Sequence, residues 1–476
     1  MKAQLWNLLL LSNQMQDKNQ NRDFHHALTV HIEMCIGCTH CMAVCPTQAI
    51  RVKNGKAKIS ANRCVDCGEC YKACPVEAIV VEQDDLKMIF KFPVRVILIP
   101  SVLIGQFPRK IMTSSIYNAL KEIGFTHIFE VENTVDMVLE AGRQYMHEQK
   151  ERPVISSYCP AIIRLIQVKY PSLISNIMKV NPPIDMTAMY YREKLKGSGI
   201  PEDQIGLFYA TPCAAKIAAV KSPVGEIESA VTGVININFL YNQILKFLQR
   251  KYTESEPPET DNLLSSRGIL WSLTRGEAIH SNGRALAIDG IKNVNEFLEN
   301  IDNEKLDKID FLELRACDES CAGGILLSGN RFLTVERLKN RAEEYRARED
   351  DKDRKLKEGF LNISEHGFLG DIRPRPMGKL DEDISSALKK MERQRRIMCF
   401  LPGLDCAGCG APDCQTLSED IVLGNAQISD CIFMQQQMVK QNLLSQDQAF
   451  RITENIWGKE RLEKNCNKLG AENENN

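Results

Sequence analysis

No charge of either sign dominates this chain. Its 60 lysines and arginines face 62 aspartates and glutamates, for a net charge of −2. That balance gives no reason to expect a nucleic acid as partner. Long apolar runs are also missing. The leading "MKAQLWNLLLLSNQ" is too short to cross a bilayer, and no small-residue cleavage site follows it. Nothing else approaches a membrane span. The expected location is the cytoplasm, where thiols stay reduced. Aromatics make up only 7% against a hydrophobic fraction of 43%, the composition of an ordinary soluble protein. The 476 residues leave room for roughly two to four domains.

Cysteine is what the chain has in quantity, 18 in all. In a reducing compartment these point to metal ligands rather than disulfides. Sixteen of the 18 sort into four sets of four, the number a cubane iron–sulfur cluster needs. Cys399 and Cys466 are left over. The first eight form an internal repeat: "CIGCTHCMAVCPTQAI" recurs 29 residues later as "CVDCGECYKACPVEAI". This C-x₂-C-x₂-C-x₃-C-P run is that of two-cluster bacterial ferredoxins, in which the fourth cysteine of each run serves the other cluster. One cluster is therefore expected on Cys35, Cys38, Cys41 and Cys74. The other is expected on Cys64, Cys67, Cys70 and Cys45. Paired zinc knuckles, the competing explanation, rarely use this doubled spacing.

The middle of the chain alternates strands and helices. "FPVRVILIP" reads as a buried strand and "PRKIMTSSIYNALKEIG" as a helix. "HIFEV", "PVISSY", "DQIGLFYATP", "RALAIDGI" and "DFLELRA" read as further strands, with helices over "NTVDMVLEAGRQYMHEQ" and "NFLYNQILKFLQRKY". The fold class is α/β with largely parallel sheets. Ligands in such folds sit at the carboxyl ends of strands. Cys159, Cys213 and Cys317 each close an expected strand, and Cys321 follows one turn after Cys317. These four thiols either converge in one crevice or are unrelated buried cysteines packing as small apolar groups.

The segments "SSYCPAI", "TPCAAKIAA" and "ELRACDESCAGG" resemble the three signatures of the di-iron (iron-only) hydrogenases, roughly TSCCPGW, MPCxxKxxE and MxCxxGCxxGGG. "LIPSVLIGQF" and "NPPIDMTAMYYREKL" resemble further family segments in the same order. The resemblance covers about residues 31 to 335 and implies a two-lobed domain. It also implies that Cys159, Cys213, Cys317 and Cys321 hold a cubane. Cys321 would bridge to a di-iron unit with carbonyl, cyanide and azadithiolate ligands, completing an H-cluster. Lys216 would donate to a cyanide, and Pro100 and Ser101 would border another.

Departures from the pattern matter as much. The thiol that starts the family's proton relay is Tyr158 here. A phenol titrates near pH 10 and exchanges protons less readily than a thiol. The relay glutamate is Ala219. Two methionines that pack on the di-iron unit are Thr211 and Arg315, and Arg315 either faces the centre or points to solvent. Losing a positioned proton donor costs on the order of 10² to 10⁴ in rate. The departures resemble the sensory branches of the family. A sensor domain that often follows in such relatives is absent here, so output would pass to a redox or signalling partner. H2 and protons are the implied small-molecule partners.

After a mixed-charge run beginning at Arg341 comes "CFLPGLDCAGCGAPDCQTLSEDIVLGNAQISDC". Cys406, Cys409, Cys414 and Cys431 resemble the small 4Fe-4S domain of membrane electron-transport complexes and of corrinoid iron–sulfur proteins. A zinc site is the competing explanation. Three accessory 4Fe-4S clusters are thus expected beside the H-cluster. Cys399 reads as a spare core thiol. The helical tail "FMQQQMVKQNLLSQDQAFRITENIW" packs on the cluster domain or forms a dimer seam, making a homodimer one expectation. The expected organisation is a disordered lead (1–28), a ferredoxin-like α+β domain (29–86), a hydrogenase-like domain (90–340), a charged linker (341–385), a mostly helical iron–sulfur domain with its tail (386–465) and a disordered end (466–476).

Three functional readings follow. The first is a hydrogen-sensing or low-turnover di-iron hydrogenase, its electrons relayed through 4Fe-4S clusters. The second is a cluster-assembly scaffold holding only cubanes. The third is an electron-transfer subunit.

Overall fold

A computed structural model describes residues 24–462, apart from 226–227, 251–263, 282, 302–307, 347–367, 376, 378–379 and 382. The lead, most of the polar loop after Tyr252, the body of the mixed-charge run and the C-terminal end lie outside the described residues. Two compact units emerge, and the chain passes between them more than once. The larger comprises Gln83–Ile166 and Ser172–Arg373, with the residues before Leu28. The smaller comprises Leu28–Glu82, Gln167–Pro171 and Pro374–Asn476.

In the larger unit, β5 (Val94–Ile99), β6 (His127–Glu130), β8 (Ile205–Thr211) and β9 (Gly233–Asn236) form a four-stranded sheet in the order β6-β5-β8-β9. Every pairing in it is parallel. All seven residues of β8 are buried, as a strand covered on both faces by crossover helices must be. A second parallel sheet runs β10 (Ala285–Ile288), β11 (Phe311–Leu314), β7 (Val154–Ile155). The helix Ile237–Arg250 buries Ile237, Leu240, Ile244 and Leu248. Their spacing makes one helical face. That face joins Ile97, Ile99, Phe208, Ile116 and Leu120 in the main core.

One ion pair is part of that core. Arg341 donates to both carboxylate oxygens of buried Glu130, at 2.8 and 2.5 Å, and Tyr117 donates to the same group at 2.6 Å. Burial pushes the Glu130 carboxyl up, but the Arg341 charge and the hydrogen bonds outweigh it and hold the group below its ordinary value. Arg341 therefore begins no solvated linker. It lies in the helix Arg331–Arg346, which buries it together with Leu338 and Ala342. Arg341→Met strands a buried carboxylate and is expected to cost about 3–5 kcal/mol, read as a drop in the thermal midpoint. Removing the exposed Arg109–Glu344 pair is expected to cost less than about 1 kcal/mol.

In the smaller unit, β1 (Leu28–Val30) pairs antiparallel with β4 (Ile79–Val81). The hairpin β2 (Ile50–Lys53) and β3 (Lys56–Ile59) turns through Asn54 and Gly55. Both have positive φ, 52° and 69°, as a two-residue primed turn requires. The C-terminal segment docks on this hairpin through backbone bonds: Val52 to Gly410 at 2.8 Å, Asn54 to Asn455 at 2.9 Å and Gly55 to Ile456 at 2.9 Å. Gln48–Asp413 and Arg51–Asp420 add side-chain contacts. The first and last cysteine-rich segments thus belong to one compact unit.

Candidate iron–sulfur centres and the Tyr158 site

The repeat in the smaller unit builds two small enclosed cavities. Cys35, Cys38, Cys41 and Cys74 line one; Cys45, Cys64, Cys67 and Cys70 line the other. Equivalent backbone groups point at sulfur in both halves. Ala49 N–H donates to Cys45 Sγ and Ala78 N–H to Cys74 Sγ, each at 3.2 Å. Burial and then neighbouring cysteines push the Cys41 and Cys70 thiols up to about 12 and Cys67 well up, and burial with the Asp66 charge does the same for Cys64. Crowded buried thiols of this kind ionise only when positive charge arrives with a metal. The donor set and its spacing suit cubanes.

Cys406, Cys409, Cys414 and Cys431 come together at the other end of the chain. Cys414 and Cys431 are buried in a core with Ile397, Leu417 and Ile421, against which Cys409 packs. Burial raises the Cys409 thiol to about 11, with Cys431 and Cys406 contributing. The ligand loop is fixed by Asp405, whose carboxylate accepts from Cys414 N–H at 2.8 Å, and by Trp457, whose Nε1 donates to Gly408 O at 3.0 Å. Cys399 is not a core thiol: it is exposed, and bonds only to the carbonyl one turn back, at Arg395.

In the larger unit the four remaining cysteines follow β7, β8 and β11. Cys159 and Cys213 stand directly before the helices Pro160–Lys169 and Ala214–Lys221. Burial pushes the Cys213 thiol up to about 12; Lys216 opposes this, while Cys321 and Cys159 add to it. Those three sulfurs therefore share one electrostatic environment. Cys321 sits in the turn Ser320–Gly323, reached through Glu319 and Ser320 at φ 59° and 51°. A side chain at Gly324 would meet Pro212 O at 2.6 Å, so the shortened glycine pair keeps this turn against the Cys213 loop.

Beside Cys321 the chain fills its own site. The Tyr158 hydroxyl lies 3.3 Å from Cys321 Sγ. Lys216 Nζ donates to that hydroxyl at 3.3 Å and to Cys321 Sγ at 3.4 Å. The Tyr158 ring packs against Lys216 Nζ, 4.5 Å from its centroid, and against the Arg315 guanidinium at 3.9 Å. Trp271 meets it edge-on. Burial and the Cys321 sulfur push the phenol well above its ordinary value, against the pull of Lys216 and Arg315. It stays protonated at neutral pH. Burial pulls Lys216 down, but the Cys321 sulfur and then the Tyr158 hydroxyl beside it outweigh this and hold the amine above its ordinary value.

Arg315 does face the centre. It is 2% exposed and anchored by Glu277 at 3.1 Å and Glu313 at 3.3 Å. Glu313 also accepts from the Arg275, Glu277 and Ala278 N–H groups. Ser156 donates to Glu277 at 2.5 Å. Two carboxylates thus answer the one guanidinium, and burial with Glu313 nearby lifts the Glu277 carboxyl to about 7. Among the described residues, Arg315 Nη1, Trp271 Nε1 and Ser272 Oγ are buried without hydrogen-bond partners. Sequence reasoning missed Glu277 and Glu313. A carboxylate inside the otherwise apolar "DFLEL" was the available signal for Glu313.

Pro100 ends β5, and Ser101 opens a short buried helix. The Ser101 N–H donates to both Glu132 oxygens at 2.9 Å, and its hydroxyl donates to Glu130. Thr211 is fully buried and donates to Cys213 O at 2.9 Å. Ala219 lines a cavity of about 660 Å³ that also reaches Tyr158, Lys216, Asn181 and Asp185.

Glu132 gives the larger unit a pH signature. Burial, helped by the Glu130 charge, lifts its carboxyl from 4.5 to about 7. Between those values the fold holds a proton that the unfolded chain has released. Stability therefore falls as pH rises through that window and levels above it, by at most on the order of 3 kcal/mol. Glu132→Gln is expected to reduce the fall of the thermal midpoint between about pH 5 and about pH 8 and to raise it at the upper end, the slope that remains belonging to Glu277.

Known proteins share these segments. Residues 94–268 match the family model "Iron only hydrogenase large subunit, C-terminal domain". Residues 34–78 match "4Fe-4S dicluster domain" and residues 401–433 match "Putative Fe-S cluster". Iron hydrogenase 1 of Clostridium pasteurianum is 23% identical over 235 residues, covering 46% of this chain and 38% of that protein. The NADP-reducing hydrogenase subunit HndD of Solidesulfovibrio fructosivorans is 22% identical over 217 residues, covering 41% and 33%. The chain thus spans little more than a third of the length of these curated relatives. A solved variant of [FeFe]-hydrogenase HydA1 from Chlamydomonas reinhardtii aligns at a TM-score of 0.47 and 17% identity, over 61% of this chain and 98% of that one. No helix of the described residues is long and apolar enough to cross a membrane. The chain thus carries a segment similar to the iron-only hydrogenase large subunit, with a segment similar to 4Fe-4S dicluster domains before it and one similar to a further Fe-S cluster family after it.

Proposed function

We propose that this chain is an electron-transfer protein on a hydrogenase-like fold, holding a cubane at Cys159, Cys213, Cys317 and Cys321 and not turning hydrogen over at a working rate. One observation carries the reading: the Tyr158 hydroxyl, 3.3 Å from Cys321 Sγ and from Lys216 Nζ. A cubane asks for four sulfurs, and the shared environment of Cys159, Cys213 and Cys321 supports that set, with Cys317 one turn before Cys321 as the fourth. A di-iron unit asks for more. It would bridge from the Cys321 sulfur and take its donor from Lys216, and both atoms are engaged by Tyr158. The tyrosine ring fills the space between Lys216 and Arg315. In this arrangement the residues do not fit a di-iron unit.

On this reading Tyr158 and Lys216 act on a cubane ligand. Both donate toward the Cys321 sulfur, and such donors withdraw charge from a cluster and favour its reduced form. The remaining three sets of cysteines would carry single electrons to and from a redox partner. A second reading, a hydrogen-sensing or low-turnover di-iron protein acting on H2 and protons, has its own support. Arg315 Nη1 is an orphaned donor beside the site, and Tyr158 borders a cavity of about 660 Å³. Infrared spectra after maturation with a synthetic di-iron cofactor separate the two. The first reading expects no carbonyl or cyanide bands from the unaltered protein; their appearance would replace it with the second.

A further inference from the structure

We infer that the face around Cys406 is a docking site for a small acidic one-electron carrier protein. The inference rests on reading Cys406, Cys409, Cys414 and Cys431 as a cluster site. Of these four, Cys406 alone is exposed; Cys414 and Cys431 are buried. An edge of the cluster would therefore reach the surface at Cys406, and electron exchange requires close approach of the two centres.

Exposed apolar side chains lie close to Cys406 along the chain and across its loop, while the neighbouring Asp405 carboxylate is taken up by Cys414 N–H. Phe400 is 66% exposed, Leu404 59% and Phe433 43%. Gly408 lies against Ile432, which brings the start of the helix Ile432–Lys440, with Phe433, to the ligand loop. Next to this patch runs a basic ridge. In the helix Ile384–Phe400, Lys389, Arg393 and Arg396 are exposed and spaced so that they share one face with Phe400. Arg395 is exposed as well. The helix carries five basic residues and one acid, Glu392. Glu392 pairs with Arg396, and Lys390 pairs with Asp381. Among the described residues no carboxylate bridges Lys389, Arg393 or Arg395.

A chain with net charge −2 has thus gathered unneutralised positive charge beside one exposed cluster ligand. An apolar spot rimmed by charge of one sign is what a short-lived redox encounter uses. The charge steers the approach, and the small apolar contact allows fast release. Complementarity selects an acidic carrier over a basic one. The step is a single electron passing between the carrier's centre and the Cys406 cluster, with no bond made or broken and no proton required.

The test uses the full chain with its clusters assembled. An acidic two-iron ferredoxin is the probe and cationic cytochrome c the control, with binding measured by calorimetry at about 20 and about 200 mM salt. The ferredoxin is expected to bind and to weaken at least about tenfold across that range. The double variant Arg393→Glu, Arg396→Glu is expected to weaken it by a similar factor at low salt. Equal binding of both carriers, or no effect of the charge reversal, overturns the docking site. So does a dimer in sedimentation that the double variant dissolves, since the face would then belong to a second copy of this chain. Cys406→Ser reports separately on the cluster reading. Loss of about four irons per chain with ferredoxin binding intact supports both statements. Unchanged iron overturns the cluster while leaving the charge-reversal result to judge the surface.

Discussion

Replacing Cys321 by serine is expected to remove about four irons per chain and to leave the other centres intact. A serine oxygen is harder and far less acidic than a thiol, so it is a poor ligand for a cubane edge. The loss should be confined to one centre because the remaining twelve cysteines of the sets lie in the smaller unit, Leu28–Glu82 and Pro374–Asn476. Cys159→Ser and Cys213→Ser are expected to behave alike, since Cys213 shares one environment with Cys159 and Cys321. Cys399→Ser is the control. That thiol is exposed and hydrogen-bonds to Arg395 O, so its replacement should leave the iron content unchanged. Iron analysis with electron paramagnetic resonance of the reduced protein measures all four. Iron content equal to that of the unaltered chain after each ligand substitution would end the reading of this cleft as a metal centre.

Tyr158→Ala is expected to change the infrared spectrum from empty to filled. With the ring gone, Cys321 Sγ and Lys216 Nζ lose their occupant, and Arg315 Nη1 faces open space. A synthetic di-iron cofactor should then load, giving carbonyl and cyanide bands that the unaltered chain lacks. Tyr158→Phe separates ring from hydroxyl. It keeps the volume and the contact with Arg315, so it should stay empty if bulk is what excludes the unit. Loading of the phenylalanine variant would assign the exclusion to the hydrogen bond alone. Turnover in the alanine variant should remain low, by on the order of 10² to 10⁴, because neither position 158 nor Ala219 can hand over a proton. Brisk hydrogen evolution would show that protons reach the site by another route.

Much of this was legible along the chain. The strands at "VRVILI" and "IGLFYAT" are continuous apolar runs, and such runs fit only strands covered on both faces. The repeat in the first eight cysteines carries its own pairing hypothesis, and the four cysteines of each of its two sets line one cavity. Less legible was the polar lining of the Tyr158 site. Arg315, Glu313 and Glu277 are ordinary charged residues in sequence; only burial against Tyr158 makes them a unit. Cys399 reads as a core thiol in sequence because an exposed helical cysteine looks like any other in a cysteine-rich segment. Arg341 reads as the start of a linker from its charged neighbours, whereas its partner Glu130 is 211 residues away. Contacts of that span leave no local trace.

The hairpin around Asn54 and Gly55 has a consequence for how the protein is made. Its outer edge is completed by main-chain groups of Gly410, Asn455 and Ile456, and Gln48 meets Asp413 at a separation of 365 positions. During synthesis the first-formed module must wait for nearly the whole polypeptide to emerge. Until then it presents a bare strand edge, the kind of surface that pairs with strangers. A shortened version ending before residue 400 would lack the Cys406, Cys409, Cys414 and Cys431 centre and would also leave that edge uncovered for good, so aggregation is expected beyond the iron it loses.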